Sequence, residues 1–236
     1  MTNCILASTS TIYGGTYLDY LFDSLKKLYS TTEKILFIPY ARPSGISHDA
    51  YTLIAKAAFK KMGKEIRGIH TFKNPIDAIQ NAEGIFTGGG NSFVLVAELY
   101  KQNLIPTLQE VIKKGTPYLG TSAGSNIAGP SIQTTNDMPI VYPPSFQTLG
   151  IVPFNINPHY LDPDPTSKHK GETRETRIKE FHQFNSIPVI GLREGSWIQV
   201  QNNQITLKGK GLTARIFEQD KTPYELSPDS SLAFLK

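Results

Sequence analysis

Short apolar runs alternate with amphipathic segments through the first half of the 236-residue chain, and this alternation restricts the fold more than any other feature. The runs that predict buried strands are 4–8, 35–39, 66–69, 84–86 and 118–119. The segments that predict helices between and after them are 18–28, 47–62, 92–101 and 105–114, with a shorter one beginning at Asn74-Pro75. Strands separated by helices pair in parallel. The sequence therefore predicts an α/β fold, a three-layer sandwich with a mostly parallel central sheet.

The second half of the chain has a different texture. Residues 131–170 are rich in Pro, Asn, Asp and Thr, a composition typical of loops laid over a scaffold. A helix is predicted over 173–184 and a strand over 189–191, and two further apolar runs flank Gln201-Asn202-Asn203 as a hairpin. Because the sequence contains neither a linker nor an internal repeat, residues 1–236 are predicted to form a single domain.

The composition argues against several classes of function. The net charge of +4 is mild, and the basic cluster Lys168-His169-Lys170 lacks the interleaved aromatic residues that bind single strands, so no nucleic-acid partner is predicted. No apolar run approaches the roughly 18 residues of a membrane-spanning helix. The first residues show no basic patch of a secretory signal, and the single cysteine, Cys4, cannot form an internal disulfide. We therefore expect a cytoplasmic protein with no membrane partner.

Gly120-Thr121-Ser122-Ala123-Gly124 lies between a predicted strand and a predicted helix. This is the setting of a nucleophile elbow, in which a sharp turn exposes the serine hydroxyl and the glycines relieve crowding. The helix N-terminus also places backbone N–H groups where an oxyanion can form. The alternative interpretation is a tight turn with an ordinary N-capping serine.

A nucleophilic serine needs a general base, and the candidates are His48, His70, His159, His169 and His182. His159 follows the apolar run 151–156, which is predicted to be a strand, and catalytic groups in open α/β sheets gather at the carboxyl ends of strands. Four loop residues are candidates for the carboxylate that orients the imidazole, and they are Asp137, Asp162, Asp164 and Glu172. No His, Cys, Asp or Glu cluster has metal-ligand spacing, so neither a metal nor a cofactor is predicted.

Gly88-Gly89-Gly90-Asn91 occupies another strand-to-helix turn. A dinucleotide fingerprint would need a glycine where Phe93 stands, and no Walker lysine follows. The glycines instead favour a close approach of the backbone to a substrate, with one N–H contributing to an oxyanion hole. A purely structural glycine-rich turn is the alternative.

Five motifs occur together and in order, and they carry a family resemblance. They are Gly88-Gly89-Gly90-Asn91, Gly120-Thr121-Ser122-Ala123-Gly124, Thr134-Thr135-Asn136-Asp137-Met138-Pro139, Asn155-Ile156-Asn157-Pro158-His159 and Gly171-Glu172-Thr173-Arg174-Glu175. The pattern continues through Gly191-Leu192-Arg193-Glu194-Gly195-Ser196-Trp197 and so covers most of the chain. It resembles the peptidase E family, cytoplasmic α-aspartyl dipeptidases of the serine type. The resemblance implies a class I glutamine-amidotransferase-like fold and hydrolysis of small peptides with an N-terminal aspartate.

The resemblance also implies roles for individual residues. Ser122 matches the nucleophile, His159 the general base and Asp137 the acidic member of the triad. The N–H groups of Gly89, or a neighbouring glycine, and of Ala123 would form the oxyanion hole. Arg174 matches the arginine that receives the aspartyl carboxylate, and the remaining substrate-binding positions are Gly88, Gly90 and Asn91. The chain departs from the family at Ser125, where a smaller residue is usual, and in the loop 161–170.

Other functions remain alternatives. A relative acting on aspartyl polymers or isoaspartyl bonds would share these motifs. An α/β-hydrolase esterase would carry its acid far downstream of the elbow, and a glutamine amidotransferase would need cysteine in place of Ser122. A non-catalytic binding module would have no reason to keep serine, acid and histidine together. The oligomeric state is left open between monomer and homodimer.

Overall fold

The computed structural model describes residues 1–166, 168 and 171–235. The strands are β1 (Asn3–Ala7), β2 (Lys34–Ile38), β3 (Glu65–Gly68), β4 (Gly84–Thr87), β5 (Tyr118–Thr121), β6 (Asn155–Pro158), β7 (Val189–Leu192), β8 (Ser196–Gln201), β9 (Gln204–Gly209), β10 (Ala214–Phe217) and β11 (Tyr224–Leu226). The helices are α1 (Phe22–Leu28), α2 (His48–Lys60), α3 (Pro75–Gln80), α4 (Ser92–Lys101), α5 (Ile105–Lys114), α6 (Ala123–Asn126) and α7 (Arg174–Phe181). Two 3-10 turns lie at Asp19–Leu21 and Ile69–Thr71.

The larger sheet has seven strands in the order β3-β2-β4-β5-β1-β8-β9. Its first five strands are parallel, and β8 and β9 add antiparallel to the β1 side. The predicted α/β fold with a mostly parallel central sheet is confirmed. A second sheet of four strands, in the order β11-β10-β7-β6, did not follow from the sequence pattern; within it only β6 and β7 pair in parallel.

The central strands are buried on both faces, as parallel strands covered by helices are. Along β1, Cys4 and Leu6 contribute to one apolar cluster, while Ile5 and Ala7 contribute to another. This alternation follows from the two-residue period of a strand, which sends successive side chains to opposite faces. Two cores therefore hold β1 and its neighbours in a fixed register, with the carboxyl ends of β4 and β5 at the same edge.

Helix boundaries differ from the prediction where the backbone cannot remain helical. The predicted helix 18–28 begins only at Phe22, because Leu18 has a φ of 61° and a short 3-10 turn follows it. The helix predicted over 47–62 has the expected N-cap, since the Ser47 side chain accepts a hydrogen bond from the Ala50 N–H. It ends at Lys60, ahead of Gly63 with a φ of 72°.

The strand predicted over 151–156 is displaced toward the C-terminus. Residues 151–154 form a bend in which the Ile151 and Val152 N–H groups both donate to the Ala128 carbonyl, and Pro153 has no N–H to add to a ladder. Strand β6 therefore runs from Asn155 to Pro158 and ends immediately before His159. Within the described part of the chain, no helix combines the length and apolarity needed to cross a membrane.

Candidate active site

Ser122 lies in the turn between β5 and α6, with a φ of 51° and a ψ of −111°. A side chain at Gly124 would overlap the Thr87 carbonyl, and one at Gly120 would overlap the Gly124 carbonyl, so this turn can form only with glycine at both positions. The departure at Ser125 is accommodated because its hydroxyl bonds to the carbonyls of Ala7 and Gly120, at 2.7 and 2.8 Å. The strained turn leaves the Ser122 hydroxyl available for a hydrogen bond with a side chain from another element.

That side chain is His159, whose Nε2 lies 2.9 Å from Ser122 Oγ. His159 also has a positive φ, 53°, at the end of β6. Its backbone N–H donates to Ser8 Oγ at 2.8 Å, and the Ser8 hydroxyl in turn donates to the Leu192 carbonyl at 2.7 Å. The fully buried Ser8, which follows β1, therefore links the ends of β6 and β7 to the large sheet and fixes the position of the imidazole.

The other imidazole nitrogen contacts Glu194. The Glu194 Oε1 lies 2.6 Å from His159 Nδ1, and both side chains are partly exposed. Because β6 and β7 are parallel and pair Pro158 with Leu192, the residues just past their ends lie side by side. Glu194 belongs to the motif Gly191-Leu192-Arg193-Glu194-Gly195-Ser196-Trp197, and the family resemblance did not imply a role for it. The available signal was a carboxylate two residues beyond a buried strand.

The structure does not bring Asp137 to the imidazole, where the sequence analysis expected it. Its Oδ2 accepts hydrogen bonds from the Ser92 N–H at 2.7 Å and from the Thr135 hydroxyl at 3.1 Å. The carboxylate thus lies at the first turn of α4, where exposed N–H groups favour a negative charge. The expected contact fails because Glu194 occupies the Nδ1 side of His159.

The three other candidate carboxylates also lie away from His159. Asp162 pairs with Arg193 at 2.6 Å, and this pairing lowers the pKa of the Asp162 carboxyl. Asp164 accepts from the Thr166 hydroxyl, and Glu172 lies 3.7 Å from Arg177.

Three of the remaining histidines have other partners. His70 contacts Asp49 at 2.8 Å, the His48 ring packs at a tilted angle against His70, and His182 Nε2 contacts the Ile187 carbonyl. His169 lies outside the described residues.

The glycine-rich turn after β4 packs directly against the elbow. A Cβ on Gly89 would lie 2.9 Å from the Ser122 Cβ, and Gly90, with a φ of 144°, leaves no room for a side chain beside the Ala41 carbonyl. The backbone N–H groups of Gly89, Gly90 and Ala123 donate to no other residue in the described ranges. Donors for an oxyanion are therefore available on both sides of the Ser122 hydroxyl.

Two of the expected substrate-binding positions are occupied by contacts within the chain. The Asn91 side chain caps α4 by accepting from the Val94 N–H, and its amide donates to the Met138 carbonyl at 2.9 Å. The Gly88 N–H donates to the Ile38 carbonyl. These contacts use the N–H of Gly88 and one of the two amide N–H groups of Asn91, so Gly88 has no free donor for a substrate and Asn91 keeps one side-chain N–H.

A cavity of about 270 Å³ opens beside the hydroxyl of Ser122. It is lined by Ser92, Ser122, Ala123, Thr135, Asn136, Asp137, Pro158, His159 and Arg174. The Arg174 Nη1 is buried and has no hydrogen-bond partner in the described structure, and burial lowers the pKa of this guanidinium, against the opposing effect of Glu194. A larger groove, about 680 Å³, lies between β3 and α3 and contains none of these residues.

The sequence matches the family described as peptidase family S51 over residues 4–208. The chain belongs to peptidase family S51. A peptidase E of Streptomyces coelicolor is 46% identical over 233 residues, which cover 99% of this chain and 94% of that protein. A Drosophila melanogaster protein named "Probable alpha-aspartyl dipeptidase" is 44% identical over 236 residues, 99% of this chain and 97% of the relative. The resemblance to the peptidase E family is therefore confirmed.

The fold of this chain is also seen in a solved structure of low sequence identity. A crystal structure of a peptidase from an acI-B1 Actinobacterium superposes with a TM-score of 0.74 at 17% identity, covering 99% of this chain and 97% of that one. In this S51 chain, residues 1–166, 168 and 171–235 contain no group of three or more His, Cys, Asp or Glu side chains that could hold a metal ion.

Proposed function

We propose that the protein is a serine dipeptidase that hydrolyses Asp-Xaa dipeptides with an N-terminal L-aspartate. The observation that carries the proposal is that Ser122 and His159, which form a hydrogen-bonded series with Glu194, line the same cavity as Arg174, whose buried Nη1 has no hydrogen-bond partner among the described residues. The names of the S51 relatives, peptidase E and alpha-aspartyl dipeptidase, support the same substrate class.

In this mechanism His159 removes the proton from the Ser122 hydroxyl as Oγ attacks the peptide carbonyl after aspartate. The tetrahedral oxyanion accepts hydrogen bonds from the N–H groups of Ala123 and of Gly89 or Gly90, and one such donor lowers the barrier by about 3 kcal/mol. The imidazolium then protonates the leaving amine. Water, activated by the same histidine, hydrolyses the aspartyl ester and restores the hydroxyl.

Glu194 takes the role of the acidic triad member in this proposal. A carboxylate on Nδ1 holds the imidazole with its proton on that nitrogen, which leaves Nε2 free to accept the serine proton. It also stabilises the imidazolium that forms after the transfer. The 2.6 Å contact is the support for this assignment, because none of the four carboxylates considered from sequence contacts His159.

Arg174 and Asp137 divide the recognition of the aspartyl residue. The planar guanidinium of Arg174 suits a carboxylate, and its buried Nη1 has a hydrogen bond to gain from one. Asp137 lines the same cavity with a negative charge, which suits the free ammonium group of the substrate. A glutamyl substrate is one methylene longer, so the same anchor would misplace its scissile bond, and a displacement of about 1 Å can cost roughly 100-fold in rate.

The purified protein should release leucine rapidly from Asp-Leu and slowly from Glu-Leu and from isoaspartyl-leucine. Chromatography of the free leucine measures each rate, with polyaspartate as a fourth substrate. Equal or faster cleavage of the isoaspartyl bond or of polyaspartate would instead favour the alternative S51 activities. If folded protein releases leucine from none of these substrates, the dipeptidase proposal is wrong and a binding module becomes the better explanation.

Replacing Arg174 by methionine is expected to lower kcat/KM for Asp-Leu by roughly 10³-fold, because a charged substrate group then enters a pocket without its partner. The ratio of activities toward Asp-Leu and Asn-Leu should collapse in this variant. Arg177→Met, one turn later on α7 and exposed, is the matched control and should keep the wild-type ratio. A retained preference for Asp-Leu in Arg174→Met would remove Arg174 from aspartate recognition.

We further propose that residues 1–236 act as one catalytic domain. Ser8, which follows β1 of the large sheet, forms hydrogen bonds with the His159 N–H and the Leu192 carbonyl at the ends of two strands of the small sheet. The geometry of the proposed triad therefore depends on both sheets. The resemblance to the peptidase E family supports a cytoplasmic location and a small-peptide substrate.

A further inference from the structure

Arg42 is an exposed cation beside the elbow to which the sequence analysis gave no role. It follows β2, and its Nε donates to the Gly89 carbonyl at 3.2 Å. The guanidinium lies over the Tyr51 ring, 5.1 Å from the centroid. Among the described residues, no carboxylate forms a salt bridge with Arg42, and its two terminal nitrogens donate no hydrogen bond. An arginine held by one nitrogen thus keeps the forked end of its guanidinium available for a ligand.

The residue that holds Arg42 is also the one packed on Ser122. A Cβ on Gly89 would lie 3.5 Å from Ser122 Oγ, and the Gly89 carbonyl accepts both Arg42 Nε and the Tyr51 hydroxyl. Standard bond lengths therefore place Arg42 Nε on the order of 10 Å or less from the Ser122 hydroxyl. A substrate bound at Ser122 is expected to span this separation.

Arg42 and Arg174 reach the surroundings of Ser122 from different elements of the fold. Strands β2 and β4 precede β5 in the sheet order, so Arg42 lies on that side of the elbow. Arg174 begins α7 and lines the cavity with His159, which Ser8 anchors on the β1 side. Arg42 does not line that cavity. The two cations are therefore at separate positions beside Ser122, Arg174 in the cavity and Arg42 on the glycine turn.

We propose that Arg42 binds the C-terminal carboxylate of the leaving residue and so selects dipeptides over longer peptides. The inference rests on the proposed function. In Asp-Xaa the C-terminal carboxylate belongs to the residue after aspartate, and consecutive Cα atoms are about 3.8 Å apart. This carboxylate is therefore within reach of a guanidinium fixed at Gly89. The substrate then has three charges with three partners: Arg174 for the β-carboxylate, Asp137 for the ammonium and Arg42 for the α-carboxylate. A longer peptide places an uncharged amide opposite Arg42.

The test compares Asp-Leu with Asp-Leu-amide, which differs only in the charge that Arg42 is proposed to bind. The wild-type protein should prefer the free acid by roughly 10- to 100-fold in kcat/KM, the range of a hydrogen bond to a charged group. Arg42→Gln should lower the activity on Asp-Leu to that on the amide and leave the amide nearly unchanged, since Tyr51 still holds the Gly89 carbonyl. Arg67→Gln is the matched control: this exposed arginine stacks on Phe72 beside the edge strand β3 and should behave as wild type.

Tyr51→Phe provides the reference for a purely structural effect. It removes the other donor to the Gly89 carbonyl and should slow both substrates alike. If Arg42→Gln also slows both substrates alike, Arg42 only positions the glycine turn and the proposal is wrong. Equal wild-type cleavage of the acid and the amide overturns it as well. Cleavage of neither substrate would instead refute the dipeptidase function, so the two failures are distinguishable.

Discussion

Replacing Ser122 by alanine is expected to lower kcat for Asp-Leu by roughly 10⁶-fold, the loss typical when a triad nucleophile is removed. The reason is that the proposed mechanism has no second nucleophile at this position. His159 Nε2 contacts the Ser122 hydroxyl, and backbone N–H groups without a partner in the described ranges lie in the two turns beside it, at Gly89, Gly90 and Ala123. Single-turnover release of leucine from Asp-Leu at saturating protein measures the residual rate.

Ser125→Ala is the matched control, because it removes a hydroxyl three residues away in the same turn. That hydroxyl bonds only to the Ala7 and Gly120 carbonyls, so its loss should reduce the melting temperature and leave the catalytic rate close to wild type. If Ser122→Ala keeps a rate within tenfold of wild type, roughly 1.4 kcal/mol in barrier, Ser122 is not the nucleophile.

Glu194→Gln is expected to lower kcat by roughly 10⁴-fold with little change in KM, because the amide no longer fixes the imidazole tautomer or stabilises the imidazolium. Glu194 is half-exposed, so the variant should fold normally, which its melting temperature checks. Steady-state kinetics with Asp-Leu gives the two parameters. Glu194→Asp, which keeps the charge but shortens the side chain, should retain more activity than Glu194→Gln.

Asp137→Asn distinguishes the two possible acids. In the proposed arrangement it weakens the binding of the substrate ammonium, so the main effect should be a rise in KM. The opposite pattern, a large loss of kcat in Asp137→Asn with Glu194→Gln nearly wild type, would restore Asp137 as the triad acid and show that the hydrogen bond between His159 and Glu194 is not used in catalysis.

The order of the elements was predictable because it depends on local patterns. The apolar strands, the N-cap at Ser47, the elbow around Ser122 and the hairpin at Gln201-Asn202-Asn203 each involve residues close together in the chain. Errors arose where long-range contacts set the boundary. The strand predicted at 151–156 gave way to a bend because the Ala128 carbonyl, more than twenty positions upstream, captures two of its N–H groups.

The carboxylate that contacts His159 also depends on long-range pairing. Asp137 was favoured on its motif, and it lies in the cavity but against the N-terminus of α4. Glu194 is 35 positions from His159 and becomes its partner only because β6 and β7 pair in parallel within a second sheet. The sequence pattern predicted a strand over 189–191 but not that it pairs with the strand that precedes His159. The contact between the residues that follow these two strands could therefore not be predicted.

The sequence by itself determined the class of fold, the strained glycine turns and two candidate reacting groups, Ser122 and His159, because backbone sterics and hydrophobic periodicity act over a few residues. Only the tertiary structure decided which carboxylate contacts the imidazole, that the buried Nη1 of Arg174 has no partner among the described residues, and that Arg42 lies beside Gly89. These are pairings between distant segments. They depend on strand order and register, which one-dimensional patterns leave open and the packing of the two sheets fixes.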